Sequence, residues 1–354
     1  MLISEWIMKC ITSHRRCQPE LDRSLAQPTR LIDIGYQSWQ EPRLVITSEL
    51  ESQDGPVQYL TLSHSWGARG VTKLLKTNLI HFQERIPLQS LSQTFRDAID
   101  ITRKLSFRYL WVDSLCIMQD CPDDWLRESS AMRDVYKGCI CNIAATTASE
   151  GSDSMFAQRD PLLISPFIID INWKGHQKQY VCFRGAVRYS GFIKAPLNRR
   201  GWVIQERLLS HRTIHFSSQL FWECKELEAC ETYPRGLPEA MTIEDEEENS
   251  RFYSFRLQGK SWLNDIRSKP DSKYDVWEAI VESFMCCGLT KEEDKLVALS
   301  GLVKEMQPFM DDEYVAGMWR KNLIKELVWL VEDSKQVDRT DAFRPDAYRG
   351  KMVI

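Results

Sequence analysis

The sequence predicts an α/β fold, a parallel sheet flanked by helices, with extra strands added to it and a helical region behind. Three observations carry that prediction. Between residues 59 and 148, apolar runs of strand length alternate with amphipathic helical stretches in the order strand, helix, strand, helix, strand, the pattern of a parallel sheet covered by helices. From 159 to 235 the apolar period is mostly two, and beyond 250 it returns to the helical period.

Each element has its own grounds. In "LISEWIMKCITS", residues 2–13, Ile3, Trp6, Ile7, Cys10 and Ile11 fall at helical spacing, so a short amphipathic helix must dock on something. "RLIDIG" and "PRLVIT" read as strands around a Gly-containing turn, and "YLTLSHSWG" as a third strand closed by Gly67. "SQTFRDAIDITRKL" places Phe95, Ala98, Ile99, Thr102 and Leu105 on one helical face after a Ser/Thr-rich start. "FRYLWV" is a strand. "PDDWLRESSAMRDVYKG" is a helix, with Pro122 and two aspartates in its first turn and Gly138 at its end. "CICNIAATTA" is the next strand, and "LLISPFIIDI", "QKQYVCFR" and "HRTIHFSSQLFWEC" add strands or a second small sheet. "RRGWVIQERLLS" is helix-like. Three amphipathic helices are expected in "YDVWEAIVESFMCCGL", "EEDKLVALSGLVKEM" and "EYVAGMWRKNLIKELVWLVED". The division that follows is an N-terminal helical segment (1–30), an α/β domain (31–235, core motifs 59–224), an acidic linker (236–250), a helical region (251–335) and a polar tail (336–354).

Composition narrows the function. The 354 residues with 43% hydrophobic content supply a core, and a net charge of -4 with no clustered basic face argues against nucleic acid or an anionic membrane as partner. The eleven cysteines are odd in number and scattered, with Cys139/Cys141 and Cys286/Cys287 too close for ordinary disulfides, which points to a reducing compartment. No secretory leader and no apolar run of about 20 residues is present, so a soluble cytoplasmic protein is expected.

Ligands of an open parallel sheet bind at the carboxyl edge of its strands. Two such edges carry chemistry: Ser63, His64, Ser65 and Trp66 after one strand, and Asp113, Ser114 and Cys116 after another. On the helix that follows, Trp125, Glu128, Ser129, Met132 and Tyr136 form one stripe, so Glu128 points where apolar neighbours point. A carboxylate there needs an arginine, hydrogen-bond donors or a functional cleft. A structural salt bridge, with Arg200 or Arg207 as partner, is the plainer alternative to a catalytic role. Trp66 is either a core aromatic or a platform for a ring, and Trp202, Gln205 and Arg207 stand available at the rim. Core packing explains Trp202 and Leu208 but explains Gln205 and Glu206 less well. A cysteine hydrolase built on Cys116 with His64 or His215 is disfavoured, because a cysteine after a buried strand usually belongs to the core. His211 and His215 with Cys224 and Cys230 lack the tight ligand pair of a zinc site. Cys10, His14 and Cys17 share a helix face but show no fourth ligand, so packing is preferred and no metal is assigned.

Three blocks in order, "YLTLSHSWG", "TFRDAIDITRKLSFRYLWVDSLCIMQDCPDDWLRESSAMRDVYKG" and "LNRRGWVIQERLLSHRTIHFSSQLFWEC", resemble the HET domain of fungal heterokaryon-incompatibility proteins. The flanks "EWIMKCITSHRRC", "PTRLIDIG", "DKLVALSGL" and "YVAGMWRKNLIKELVWLV" are similar to that family as well, whereas many members continue into a further strand-rich region. The resemblance implies self/non-self recognition and programmed cell death, self-association and a recognition partner protein. It also implies a distant kinship with TIR domains, which share a flavodoxin-like alternation. Enzymatic TIR domains use a glutamate on the helix after a central strand, just beyond a tryptophan, to cleave NAD. Asp124-Trp125-Leu126-Arg127-Glu128 is similar, with a Trp-to-Glu spacing one residue shorter than in many TIR sequences. The resemblance therefore implies NAD or a related nucleotide as substrate rather than cofactor, Glu128 as catalytic carboxylate, and Ser63, His64, Trp66, Asp113, Cys116, Trp125 and Arg207 around the substrate. The other expectation is a non-enzymatic signalling or adaptor module that kills by assembly.

Overall fold

The structure, a computed structural model, describes residues 1–18, 26–37, 39–50, 55–67, 71–159, 167–174, 176–182, 195–238 and 272–327, with single positions at 164–165 and between 260 and 269. Most of the acidic linker and the polar tail lie outside the described residues.

Eight strands form one sheet in the order β10-β9-β8-β5-β3-β4-β1-β2. Its centre is parallel: β3 (Tyr59–Ser63) pairs on one side with β4 (Tyr109–Val112) and on the other with β5 (Cys141–Ala144), which pairs in turn with β8 (Arg212–Phe216). Antiparallel strands extend both sides. β1 (Arg30–Asp33) and β2 (Arg43–Ile46) continue from β4, while β9 (Leu220–Cys224) and β10 (Glu228–Cys230) continue from β8. β1, β3, β5, β8 and β9 are buried along their whole length, as a sheet covered on both faces requires. β6 (Phe167–Trp173) and β7 (His176–Cys182) form a separate two-stranded hairpin.

Helices make the crossovers between parallel strands. α1 (Leu2–Ser13) precedes the sheet; α2 (Leu79–Glu84) and α3 (Gln93–Lys104) lie in the connection from β3 to β4, and a short turn α4 (Asp113–Cys116) followed by α5 (Pro122–Gly138) joins β4 to β5. Ser92 caps α3 by accepting from the Phe95 amide. α6 (Gly201–Leu209) leads into β8. Because the chain moves from β3 to β4 and then crosses back to β5, the connections diverge at β3. The crevice at such a switch point is where an open α/β sheet binds ligands.

Behind this sheet α7 (Lys273–Met285) and α8 (Lys295–Met310) pack on α6, and α8 also meets α5. The α8 backbone comes close to α6 at Gly301, whose amide donates to Gln205 Oε1 at 2.9 Å. A Cβ at position 301 would lie 2.6 Å from that oxygen. The third helix expected here is absent from its first half. Tyr314–Val315 (β11) and Met318–Trp319 (β12) pair as a hairpin turned by Ala316 at φ 52 and Gly317 at φ 105, and among the described residues the helix that follows, α9, covers Leu323–Leu327. Two successive residues at positive φ make the tight turn that matches strand twist, and Trp319 is then buried against Trp277 and Tyr314. Helical periodicity cannot distinguish that aromatic hairpin from a helix face. No described helix is long and apolar enough to cross a membrane.

Candidate active site

The parallel register puts Thr61 opposite Asn142 and Ser63 opposite Ala144. Tyr59, Thr61 and Ser63 alternate onto the α5 side of the sheet, where Tyr59 donates to the Val135 carbonyl at 2.7 Å. Asn142 fixes the next two: its Oδ1 accepts from Thr61 at 2.9 Å and its Nδ2 donates to Ser63 Oγ at 2.9 Å. His64 leaves the strand on the α3 side, edge-on to Phe95 with ring centroids 4.9 Å apart. Gly67 then turns the chain at φ 66, and any Cβ there would press on the backbone of Glu150 at 3.0 Å.

Asp113, at the end of β4, gathers this edge. Its Oδ1 lies 3.7 Å from His64 Nδ1 and accepts from the Ser114 amide at 2.6 Å, while its Oδ2 accepts from Trp66 Nε1 at 3.1 Å. Burial drives the His64 imidazole down to about 4 despite Asp113, so the ring is neutral at physiological pH. Asp113 is 17% exposed and Trp66 half-buried under Lys73 Nζ, 5.0 Å from its ring, so the edge meets solvent here.

The fifth member of the group comes from α6. Glu206 is 2% exposed, beside Ser63 and Tyr136 and within electrostatic reach of Asp113 and Arg200. Arg200 donates to the His64 carbonyl and its charge acts on Glu206 from beside it. Glu206 Oε2, Tyr136 Oη and His64 Nε2 are all buried without a hydrogen-bond partner among the described residues. Burial, which Arg200 only partly offsets, raises the Glu206 carboxyl to about 7. Glu206 and Tyr136 lie beside each other and Ser63 on the α5 side of this strand end and keep hydrogen-bonding capacity that no other described side chain fills, while His64 Nε2 is left over on the α3 side; such groups are rarely left unsatisfied without a role. The C-terminal end of α6 is pinned by the buried Lys260, whose ammonium donates to the Arg207 carbonyl and to the Ser210 carbonyl at 2.6 Å.

Glu128 has different surroundings. It is also 2% exposed, but its Oε1 lies 3.7 Å from Arg30 Nη2 on β1 and accepts from Arg127 Nε at 3.2 Å. The same Arg30 pairs with Asp124 at 2.5 Å and donates to the Cys116 carbonyl at 2.7 Å. Glu128 thus sits in a salt-bridge network, and its partners are Arg30 and Arg127 instead of the expected Arg200 or Arg207. Cys116 is fully buried, its thiol pushed by burial to about 12, which leaves no thiolate for nucleophilic chemistry at neutral pH. Trp125 stands edge-on to Trp202, centroids 6.4 Å apart, and so links α5 to α6.

Arg207 turns away from the strand edge. Its Nε donates to Glu223 Oε2 on β9 at 2.8 Å, and Glu223 also faces His215 Nε2 at 3.1 Å. Of the expected residues, then, Ser63, His64, Trp66 and Asp113 are brought together, while Arg207 serves a neighbouring ion pair. Sequence reasoning singled out Glu206, Tyr136 and Arg200 but assigned none of them to the site. A signal for Glu206 existed in "RRGWVIQERLLS", where Trp202 precedes it by four positions in a helix-like segment. None of these side chains forms a group suited to a metal ion; among the described residues the one such group gathers Cys10, His14 and Cys17 from the N-terminal segment with Cys224 of β9.

Residues 59–206 match the family model described as heterokaryon incompatibility protein (HET). No curated protein and no solved structure matches the chain significantly.

Proposed function

We propose that this chain, which carries the HET domain of heterokaryon incompatibility proteins over residues 59–206, acts in self/non-self recognition by cleaving NAD or a related nucleotide, with Glu206 as the catalytic carboxylate. The observation that carries this reading is the buried, unpaired Glu206 oxygen at the switch-point edge of the sheet. Two further features support it. The parallel strands follow the order second, first, third, fourth, which flavodoxin-like sheets also use. Glu206 lies on α6, which enters β8 and is separated from β5 by the β6–β7 hairpin, and its four-position spacing from Trp202 supplies the residue that the Trp125-to-Glu128 interval lacks.

The chemistry follows from the groups present. Breaking the bond between C1′ of ribose and the nicotinamide nitrogen sends the electron pair to the ring, which leaves neutral and needs no general acid. The ribose is left as an oxocarbenium-like cation, which an adjacent anion stabilises. Glu206 supplies that anion, and the water that adds at C1′ gives its proton to the same carboxylate. Tyr136 and Ser63 orient the ribose hydroxyls beside it. His64 is neutral, Asp113 orients it, and Trp66 at the solvent side stacks on a ring of the substrate.

A second reading, death by assembly, is favoured by one feature. β6 alternates Phe167, Ile169, Ile171 and Trp173 onto one face beside Tyr180 of β7, and all five are exposed. An apolar sheet face of that kind suits self-association. Incubation of the purified chain with NAD at high protein concentration, following nicotinamide release, separates the readings. Release that Glu206→Gln abolishes supports the enzyme. Killing that survives Glu206→Gln but is lost in Ile169→Asp establishes assembly instead.

A further inference from the structure

At the other side of the sheet, two segments far apart in sequence bring four soft ligands together. α1 contributes Cys10 from its last turn and ends at Ser13, because His14 takes an extended backbone. A single 3₁₀ turn, Arg15–Cys17, then brings Cys17 back to the same point. The fourth residue, which the spacing of the first three could not supply, is Cys224 at the end of β9. The three sulfurs and the His14 nitrogen all lie within 4.8 Å of one another, and every residue of the four is buried. His14 Nδ1 is 3.3 Å from Cys224 Sγ and 4.0 Å from Cys17 Sγ.

We propose that Cys10, His14, Cys17 and Cys224 hold one zinc ion in a closed, structural site of three thiolates and one imidazole that fastens α1 to β9. Tetrahedral zinc, with Zn–S near 2.3 Å and Zn–N near 2.0–2.1 Å, sets its ligand atoms roughly 3.5–3.8 Å apart, and the observed group needs only a slight contraction to reach that. All three cysteines are free thiols. A thiol is a weak hydrogen-bond partner, so packing alone leaves the imidazole nitrogen facing sulfurs that satisfy it poorly.

The surroundings match a metal–thiolate centre. Arg212 donates from Nε to Cys10 Sγ at 3.1 Å and from Nη2 to the Cys17 carbonyl at 2.9 Å. The backbone amides of Lys225 and Glu226 point at Cys17 and Cys224. Three thiolates and a neutral imidazole around Zn²⁺ carry one net negative charge, and Arg212 offsets it. Such outer donors orient the ligands and stabilise the thiolates. With four protein ligands no coordination position is left for water or substrate, so the ion serves folding rather than catalysis. It reinforces a docking that already includes Trp6, stacked on Trp222 with centroids 6.0 Å apart and donating to the Pro234 carbonyl at 2.7 Å. This inference is independent of the NAD reading.

The test is metal content. The full chain, purified under reducing conditions from zinc-supplemented cells and desalted, is expected to carry one zinc per chain by elemental mass spectrometry. Replacing it with Co²⁺ should give the intense visible absorption of a tetrahedral thiolate site. Cys286→Ser, at an exposed cysteine, should keep the full complement, and Cys10→Ser with Cys224→Ser should lose it. Should that double variant fail to fold, His14→Cys decides: the resulting set of four thiolates should retain one metal and strengthen the cobalt band. Wild type that takes up neither zinc nor cobalt when reconstituted, or whose unfolded chain titrates two thiols short, overturns the site.

Discussion

Glu128 and Glu206 are buried to the same 2%, both on crossover helices beside the parallel centre of the sheet, yet their surroundings are opposite. Glu128 has Arg30 and Arg127 within reach, and Asp124 shares the same arginines. Glu206 has hydroxyls, a second acid at Asp113, and an arginine whose guanidinium is committed to the His64 carbonyl. Desolvating a carboxylate costs several kcal/mol, and only the first site recovers that cost through an ion pair. A fold with no use for Glu206 would gain by replacing it. Burial alone therefore does not mark a functional acid, whereas burial without a direct ion pair singles out a candidate.

The comparison breaks most readily at a third carboxylate. Glu223 is buried and paired with Arg207 and His215. Removing Arg207 converts it from the Glu128 kind to the Glu206 kind. Arg207→Met is expected to destabilise the fold by about 3–5 kcal/mol, the usual cost of stranding one member of a buried pair. The midpoint of urea unfolding measures it, and a loss under about 1 kcal/mol would show that pairing is not what distinguishes these acids. Next comes Glu206→Gln. Nicotinamide release should fall by about 10²–10³-fold, the size of effect seen when a charge-stabilising group is removed, with stability unchanged or higher. Equal loss from Glu128→Gln at a temperature where both variants are folded would remove the distinction.

Much of the fold was readable because it rests on local periods. The alternation from 59 to 148 gave β3, α3, β4, α5 and β5, and the Pro122, Asp123 and Gly138 signals gave the bounds of α5. The site was half readable. Ser63, His64, Trp66 and Asp113 follow their strands directly, so strand ends located them. Glu206 depends on α6 crossing over the sheet to reach Ser63 and Tyr136, a contact no period encodes. The partner of Glu128 was misjudged for the same reason: Arg30 reaches it because β1 pairs antiparallel with β4, a strand order that the intervening sequence does not state. Cys224 was likewise hidden, 207 positions beyond Cys17 and brought beside it only by the docking of α1.

Smaller effects sharpen the contrast. Glu128→Gln should cost about 1–3 kcal/mol, because Arg30 keeps Asp124 while losing one charged neighbour. Activity per folded molecule should be little changed.

The pH dependence, with a slope of at most about 1.4 kcal/mol for each pH unit, is the most discriminating because activity and stability must move in opposite directions. Glu206 is raised from an ordinary glutamate value to about 7 by burial. Its protonated form is favoured in the folded chain, so its contribution to stability is complete below the unfolded value near 4.5 and is lost as pH rises through about 7. The ionised form is the one that stabilises an oxocarbenium. Nicotinamide release should therefore rise with pH through the same interval, while the stability of wild type falls relative to Glu206→Gln. Among the neighbours His64, held near 4, stays neutral through this interval. A release profile that is flat between about pH 5 and 8, or a stability difference from Glu206→Gln that grows toward acid in the opposite sense, would mean that Glu206 is ionised throughout and that its solvation is supplied by some group other than those facing it.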